Sequence, residues 1–491
     1  MSTCCVRRRH LAYRKNKIRR MSMSVKNYGR VYTPEYLVSL MLDFGGYICS
    51  ATNKKHVIDN SCGDGAFLKE IVKRYIEFFI KESDDVSILK QELETYIHGI
   101  EIDKQEVEKC IHSLDTLVAE YGLQDVKWDI LNADALEVHR FDGKMDFVFG
   151  NPPYVRVHNL LENYSAVKQY RFAEKGMTDL FIVFFEIGFN MLSSHGTMCL
   201  ITPFSWLSSK AGVNLRKYIT EQKNLSGIVD LEHFQAFSAT TYSLISRFQT
   251  TKEDDEIEYY IFNPNNTSIE LKTILSQEQI TINGDFYFGS TDVLSLLRKI
   301  KSTTENKYAV VKNGFATLAD KVFIGNFGFS SGCIKVLKAS TGKWSKCIFP
   351  YDESGSPLSE TEFENNSEAY EYLVTHKEFL SLKQKDGNQK WYLFGRSQGL
   401  RDVNKEKYAI NTIIKDIESI KLNFVPKGQG VFSGLYIITS VGYEFIKQQL
   451  LSENFIGYVK SLRKYKSGGY YTFSSKDLEQ YLNNKISESY E

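Results

Sequence analysis

The chain has 491 residues, 42% hydrophobic and 25% charged, the balance of ordinary globular protein, which excludes a disordered or fibrous chain. That length predicts two or three domains rather than one. Lys+Arg 61 against Asp+Glu 60 leaves a formal net charge of +1, so overall charge says nothing about a nucleic-acid partner and only its distribution can.

Residues 1–26 carry Arg7, Arg8, Arg9 and the basic run Arg14 to Arg20. They lack the apolar stretch of a signal peptide and are expected to be a disordered tail, with a phosphate-binding arm as the other reading. No apolar run reaches the ~18 residues of a transmembrane helix, so no membrane partner is expected. The eight cysteines form no C-x-x-C pair and no Cys/His cluster with zinc spacing. They predict no metal site and suit a reducing, cytoplasmic setting.

From Tyr32 to about Phe248, short β-branched runs alternate with helical patterns. Val57-Ile58 leads into apolar residues at helical spacing from Ala66 to Ile76. A strand from Ile97 to Ile102 precedes a helix over Gln105 to Tyr121. Further strands are predicted at Met145–Phe149, Met198–Ile201, Ile228–Leu231 and Ser243–Phe248, with an apolar helix over Leu180–Leu192. The alternation predicts an α/β domain with a mostly parallel sheet covered on both faces, over residues 27–285. Beyond that, over 286–491, Gly, Tyr, Phe, Ser and Lys with weak periodicity predict a strand-and-loop-rich module of mixed structure.

Four segments carry chemistry. Asp59-Asn60-Ser61-Cys62-Gly63-Asp64-Gly65 lies between a strand and a helix. Its glycines allow close backbone approach, and the helix N-terminus offers N–H groups to a carboxylate; alone it is equally a simple turn. Glu101, ending the next strand, can hold ribose hydroxyls, and Asp134 can accept from an adenine amino group; a solvated strand end and a surface turn are the competing readings. Asn151-Pro152-Pro153-Tyr154 follows an apolar strand directly. Two prolines fix φ and remove two donors, leaving a rigid corner with an amide oxygen, a free carbonyl and an aromatic face. An amino group conjugated to a purine is a poor nucleophile. Asn151 Oδ1 and the Pro152 carbonyl, accepting its two hydrogens, push electron density toward an incoming methyl, while Tyr154 stacks on the base.

In this order the segments resemble the amino-methyltransferases that use S-adenosylmethionine, specifically the gamma-class, TaqI-like DNA adenine-N6 methyltransferases of restriction-modification systems. Gly29-Arg30-Val31-Tyr32-Thr33-Pro34, Thr178-Asp179-Leu180-Phe181, Ile201-Thr202-Pro203-Phe204 and Phe237 to Ser243 are similar to further motifs of that family. The resemblance covers residues 27–250 well and implies a Rossmann-like methyltransferase fold. It implies that Thr33 and the loop of Asp59, Cys62, Gly63 and Gly65 line the methionine end of S-adenosylmethionine. It implies ribose contact by Glu101 with Ile102, and adenine contact by Asp134. Asn151 would lie beside the cofactor, and Asn151, Pro152, Pro153, Tyr154 and Phe237 would hold the target adenine, swung out of duplex DNA. Asn60 and Ser61 stand where many relatives have other residues, which touches loop rigidity.

Gly314 to Thr317, Gly395-Arg396-Ser397 and Gly468 to Tyr471 resemble, more loosely, the family's target-recognition domain. There Arg463, Lys464, Lys466 and Tyr470 are the expected DNA contacts, a solvated basic loop being the bland reading; Gly434 to Ile438 reads as core strand. The resemblance further implies a monomer acting on double-stranded DNA, with a separately encoded restriction endonuclease as possible partner. Asn-Pro-Pro-Tyr also occurs in methyltransferases of RNA and of protein glutamine. A non-catalytic DNA-binding relative and a fused nuclease complete the alternatives, though no nuclease carboxylate–lysine cluster is evident.

Overall fold

A computed structural model of the chain describes residues 32–48, 52–83, 85–156, 164–174, 178–237, 241–252, 254–302, 307–383 and 390–490. The basic tail, Gly29 to Val31 and Ser238 to Thr240 lie outside them. Two units divide the chain, Met1–Leu294 and Ser295–Glu491.

The first unit is α/β. Its strands are β1 (Val57–Asp59), β2 (Ile97–Glu101), β3 (Asp129–Asn132), β4 (Met145–Gly150), β5 (Leu192–Pro203), β6 (Leu225–Asp230), β7 (Ser243–Gln249), β8 (Glu256–Asn263) and β9 (Ser268–Ser276). They form one nine-stranded sheet in the order β3-β2-β1-β4-β5-β7-β6-β8-β9. β3, β2, β1, β4 and β5 run parallel, and β7 is antiparallel to both neighbours. From β1 the chain first fills one side of the sheet and then crosses to the other with β4. The crevice between the carboxyl ends of β1 and β4 is therefore the topological switch point, where open α/β sheets bind ligands.

Both faces of the sheet are covered. Alternate residues of a strand point to opposite faces. Phe149, Cys199, Ile201, Val229 and Ile245 share a core with α1 (Glu35–Phe44), α2 (Ala66–Glu82) and α4 (Lys104–Ala119). Their neighbours Val148, Met198 and Phe248 meet α5 (Leu180–Met191): Phe185 lies 5.7 Å from Phe248, and a Cβ on Gly188 would stand 2.3 Å from Met198 Sδ. Phe189 on the same helix meets Phe172 and Tyr218 as well, so α5 is covered beyond the sheet too, and its near-continuous apolar run follows.

The structure extends the predicted elements. β5 begins six residues before Met198. The helix α3 (Val86–Tyr96), capped by Asp85 accepting from Ser87 and Ile88, lies where no element was expected. The acidic and polar stretch after Thr250 carries β8 and β9, a hairpin that continues the sheet through the β6–β8 pairing. Past Asp285 the first unit still holds the chain. Arg216 donates to Gly284 O at 2.7 Å and pairs with Asp285 at 2.8 Å, and Phe286 packs edge-on against Trp206.

The second unit is mixed. Ala309–Asn313, Leu435–Thr439, Lys407–Ile410 and Leu422–Val425 form an antiparallel sheet in that spatial order, with a second four-stranded and a three-stranded sheet beside it. The segment Gly434 to Ile438 is core strand, as expected. Helices at Tyr443–Leu450, Glu453–Ser461 and Ser475–Tyr490 are more than the sequence predicted. The last buries Asn483, whose Oδ1 accepts from Tyr308 N and Ala309 N while Nδ2 donates to Ala309 O. Polar residues on the buried face erase the apolar periodicity that announces a helix.

Candidate functional site

The switch point gathers the first and fourth chemical segments. Asp59 pairs in register with Phe149 on one side and Gly99 on the other. The loop after Asp59 and the corner after Gly150 are thus neighbours, although about ninety residues separate them in the chain. The loop is a tight turn: Ser61 N donates to Asp59 Oδ1 at 3.0 Å, Cys62 N to Ile100 O at 3.0 Å, and Gly65 N to Cys62 O at 2.8 Å. Gly65, at φ +89°, enters α2, and a Cβ there would collide with Cys110 Sγ at 2.6 Å. The Cys62 thiol hydrogen-bonds Cys110, and with burial this raises its pKa well above the usual thiol range. Cys62 is thus an anchor beneath the loop, not a nucleophile.

Glu101 is oriented by two backbone donors, Gly63 N to Oε2 at 3.0 Å and Asp103 N to Oε1 at 2.8 Å. Its own carbonyl accepts from Ala133 N at 3.1 Å and from Asn132 Nδ2 at 3.0 Å, which ties the Asp134 segment to the end of β2. Asp134 accepts from Leu136 N at 3.0 Å, and burial raises its pKa. Ile102, beside Glu101, is exposed.

The Asn151 corner is held from three directions. Asn151 Nδ2 donates to Thr33 Oγ1 at 3.2 Å. Leu180 N donates to Val155 O at 2.7 Å, and Arg156 pairs across to Asp179, so the Thr178–Phe181 segment flanks the corner. Tyr154 OH donates to Ile201 O at 3.2 Å. Its ring meets Phe181 and Phe237 edge-on at 6.2 Å each, and burial raises its hydroxyl pKa. Phe204 N donates to Tyr242 O, joining the Ile201–Phe204 and Phe237–Ser243 segments. Asp59, Cys62, Gly63, Gly65, Glu101, Asp134, Asn151, Pro152, Pro153 and Tyr154 lie at or just after the carboxyl ends of β1 to β4, Phe237 lies in the connection from β6 to β7, and Thr33 joins them through its bond with Asn151.

Sequence reasoning passed over Gly150. Its absent Cβ would stand 3.1 Å from Asp59 Oδ1 and 3.6 Å from both Asn60 Oδ1 and Ser61 Oγ. Both polar atoms of the Asn60 amide and the Ser61 hydroxyl are buried without a hydrogen-bond partner. Asp59 is 2% exposed, and burial raises its pKa to about 7, with Glu101 and Asp64 adding to the rise. No cationic side chain pairs with it among the described residues. The signal in the sequence was a glycine directly before Asn-Pro-Pro.

In the second unit, Gly395 N donates to Thr317 O at 3.0 Å, so two of the three loosely matched segments adjoin. Of the four expected DNA contacts, Lys466 and Tyr470 are exposed. Arg463 donates to Tyr465 OH at 3.1 Å from a left-handed backbone, φ +52°. Lys464 is half-buried, its ammonium 2.5 Å from Asp477, which is 4% exposed. A buried carboxylate outcompetes water for that ammonium, so the basic run is not uniformly surface.

Among the described residues no group of three His, Cys, Asp or Glu is arranged to hold a metal, and no helix is long and apolar enough to cross a membrane. Residues 22–237 match the family described as Eco57I restriction-modification methylase. The Type II methyltransferase M.BstVI of Geobacillus stearothermophilus is 28% identical over 345 residues, 61% of this chain and 60% of that one. The Type II methyltransferase M.XhoI of Xanthomonas vasicola is 26% identical, again over 61% and 60%. The chain spans about 60% of the length of these curated relatives. The Type IIL restriction-modification enzyme MmeI, solved in complex with DNA, has a similar fold at TM-score 0.61 and 14% identity, over 90% of this chain and 63% of that one.

Proposed function

We propose, from the premise that residues 22–237 belong to the Eco57I restriction-modification methylase family, that the chain methylates N6 of adenine at specific sites in duplex DNA. S-adenosylmethionine is the proposed donor. The observation that carries the reading is the meeting of the Asn151 corner and the Asp59 loop at one switch point. Such methylation would protect DNA from a cognate endonuclease.

The residues present fit the donor. Glu101 offers a carboxylate fixed by two N–H groups, suited to paired ribose hydroxyls. Asp134 offers an acceptor to an adenine amino group. The buried Asn60 amide and Ser61 hydroxyl, without partners of their own, suit a polar ligand, and Gly63 at φ +52° leaves the loop open. When bound, S-adenosylmethionine supplies an electrophilic methyl on a sulfonium.

The chain's own groups do the rest. The target adenine must leave the duplex, since N6 is paired and stacked inside it, at a cost of a few kcal/mol. Asn151 Oδ1 and the Pro152 carbonyl accept the two N6 hydrogens. Pro153 stiffens the corner, and Thr33 holds the amide nitrogen end of Asn151. Tyr154, braced by its bond to Ile201 O, takes the base on its ring, and Phe237 supports that ring. No strong base is required, because N6 loses its proton only after it becomes cationic; positioning and desolvation dominate. Lys466, Tyr470 and Arg463 are the proposed DNA contacts of the second unit, with Lys464 serving the fold.

Single-molecule sequencing of DNA from cells expressing the chain tests the reading. N6-methyladenine in one short motif, lost with Asn151→Ala, supports it; a methylome unchanged from cells without the gene contradicts it.

A further inference from the structure

Residues 333–348 hold four lysines and no acidic residue, in a chain whose overall charges almost cancel. They form a hairpin in the second unit, Cys333–Lys338 paired antiparallel with Lys343–Ile348. The register sets lysine against lysine twice, Lys335 opposite Lys346 and Lys338 opposite Lys343. Directly opposed residues of an antiparallel pair have neighbouring side chains, and like charges there destabilise the sheet. The first pair is relieved within the fold: Lys346 Nζ donates to Phe327 O at 3.0 Å, Phe329 O at 2.7 Å and Ser330 Oγ at 3.0 Å. The second is not. Lys338 and Lys343 are both exposed, and neither pairs with a carboxylate among the described residues. Their backbone is fixed, because the loop between them is closed and docked: Gly342 N donates to Lys338 O at 2.8 Å, Ala339 N to Phe432 O at 2.9 Å and Ser340 N to Ser433 O at 3.0 Å.

Lysine on an open strand edge guards against stray pairing, which accounts for Lys343 at most. Lys338 is paired on both sides, with Lys343 and with Phe432, and has no edge to guard. A polyanion answers the repulsion. Two ammoniums that oppose each other in the free chain each gain a phosphate, and the counterions those phosphates held are released. We propose that Lys338 and Lys343 grip the phosphate backbone of duplex DNA, as a contact that supplies affinity and not sequence choice. The inference rests on the DNA reading above and adds to it a surface that none of the family-like segments contains.

Fluorescence anisotropy of the full chain with a labelled, random-sequence DNA duplex, over a salt series, tests this. Replacing both residues, Lys338→Gln with Lys343→Gln, should weaken binding and reduce the salt slope by about two, one for each phosphate contact. The deficit should therefore be about tenfold larger at about 50 mM salt than at about 200 mM. Lys338→Glu alone turns the repulsion across the strands into attraction. It should raise the urea midpoint of the second unit while weakening DNA binding, so that folding and binding move in opposite directions and a folding defect cannot mimic the result. The motif methylated in cells should be the same for both variants and the wild type. A salt slope equal to the wild type's, a lowered urea midpoint in Lys338→Glu, or an altered motif overturns the inference while leaving the DNA reading intact. Failure of the wild type to bind duplex DNA at all overturns both.

Discussion

Asp59 in the first unit and Asp477 in the second are buried to almost the same degree, 2% and 4% exposed, yet burial has opposite consequences for them. Asp477 accepts from Lys301 at 3.1 Å, from Lys464 at 2.5 Å, and from Ser474 N and Oγ, and these neighbours hold its pKa far below the usual carboxylate range against desolvation. Asp59 has one backbone donor and acidic neighbours, and its pKa climbs to about 7. The second unit completes its buried charge from its own sequence. The first leaves its buried carboxyl without a cationic partner among the described residues. A buried carboxylate that the fold declines to neutralise marks the site, whereas one that is fully paired marks the scaffold.

The contrast can be broken most sharply at the corner beside Asp59. Asn151→Ala should lower kcat by about a thousandfold, the loss typical of a preorganised transition-state contact, while the Kd for S-adenosylmethionine stays within a few-fold. Rapid-quench methyl transfer and calorimetry measure the two separately. A matched loss of affinity and rate would move Asn151 from the reacting group to the cofactor.

At Asp477, substitution by Ala strands the buried Lys301 and releases the half-buried Lys464, and should destabilise the second unit by about 3 kcal/mol, read by urea denaturation. Its pH signature runs in the lowered direction. Stability from Asp477 is present above the unfolded value near pH 4 and is lost as pH falls through the lower folded value. Asp59 has the other sign. Its folded value is raised, so ligand-free stability should decline as pH rises from about 4 to about 7 and flatten beyond. Asp59→Asn should remove that decline, stabilising the ligand-free chain by a few kcal/mol at pH 8 while weakening the cofactor. Parallel denaturation series from pH 4 to 8 check both signs.

Smaller effects refine the picture. Glu101→Gln keeps the shape but weakens what the carboxylate gives to ribose hydroxyls, and should raise the cofactor Kd by about tenfold at nearly constant kcat. Lys466→Ala should weaken DNA binding modestly and reduce its salt slope by about one, whereas Lys464→Met should alter stability more than the salt slope. Equal salt effects from the two lysines would contradict the different environments described for them.

Much of the first unit was legible because its chemistry is local in the chain. The Asp59–Gly65 loop and Asn151–Tyr154 each announce a rigid strand end by composition alone, and the apolar run of α5 announces burial on all sides. What was not legible depends on pairing across distance. The closeness of Asn60 to Gly150 appeared only when β1 and β4 lay side by side. Thr33 reached Asn151 only through the fold. Lys464 read as part of a surface run because nothing local foretells Asp477. The helix Ser475–Tyr490 escaped because Asn483 and Asp477 sit on its buried face.

The central claim is that an adenine N6 receives the methyl at the Asn151 corner. Incubating the full chain with duplex DNA and S-adenosylmethionine labelled in its methyl group, then digesting to nucleosides for mass spectrometry, tests it directly. The account predicts label in N6-methyladenine and none with Asn151→Ala. Label in a cytosine, in RNA or in a protein glutamine, or incorporation that survives loss of Asn151, would contradict it.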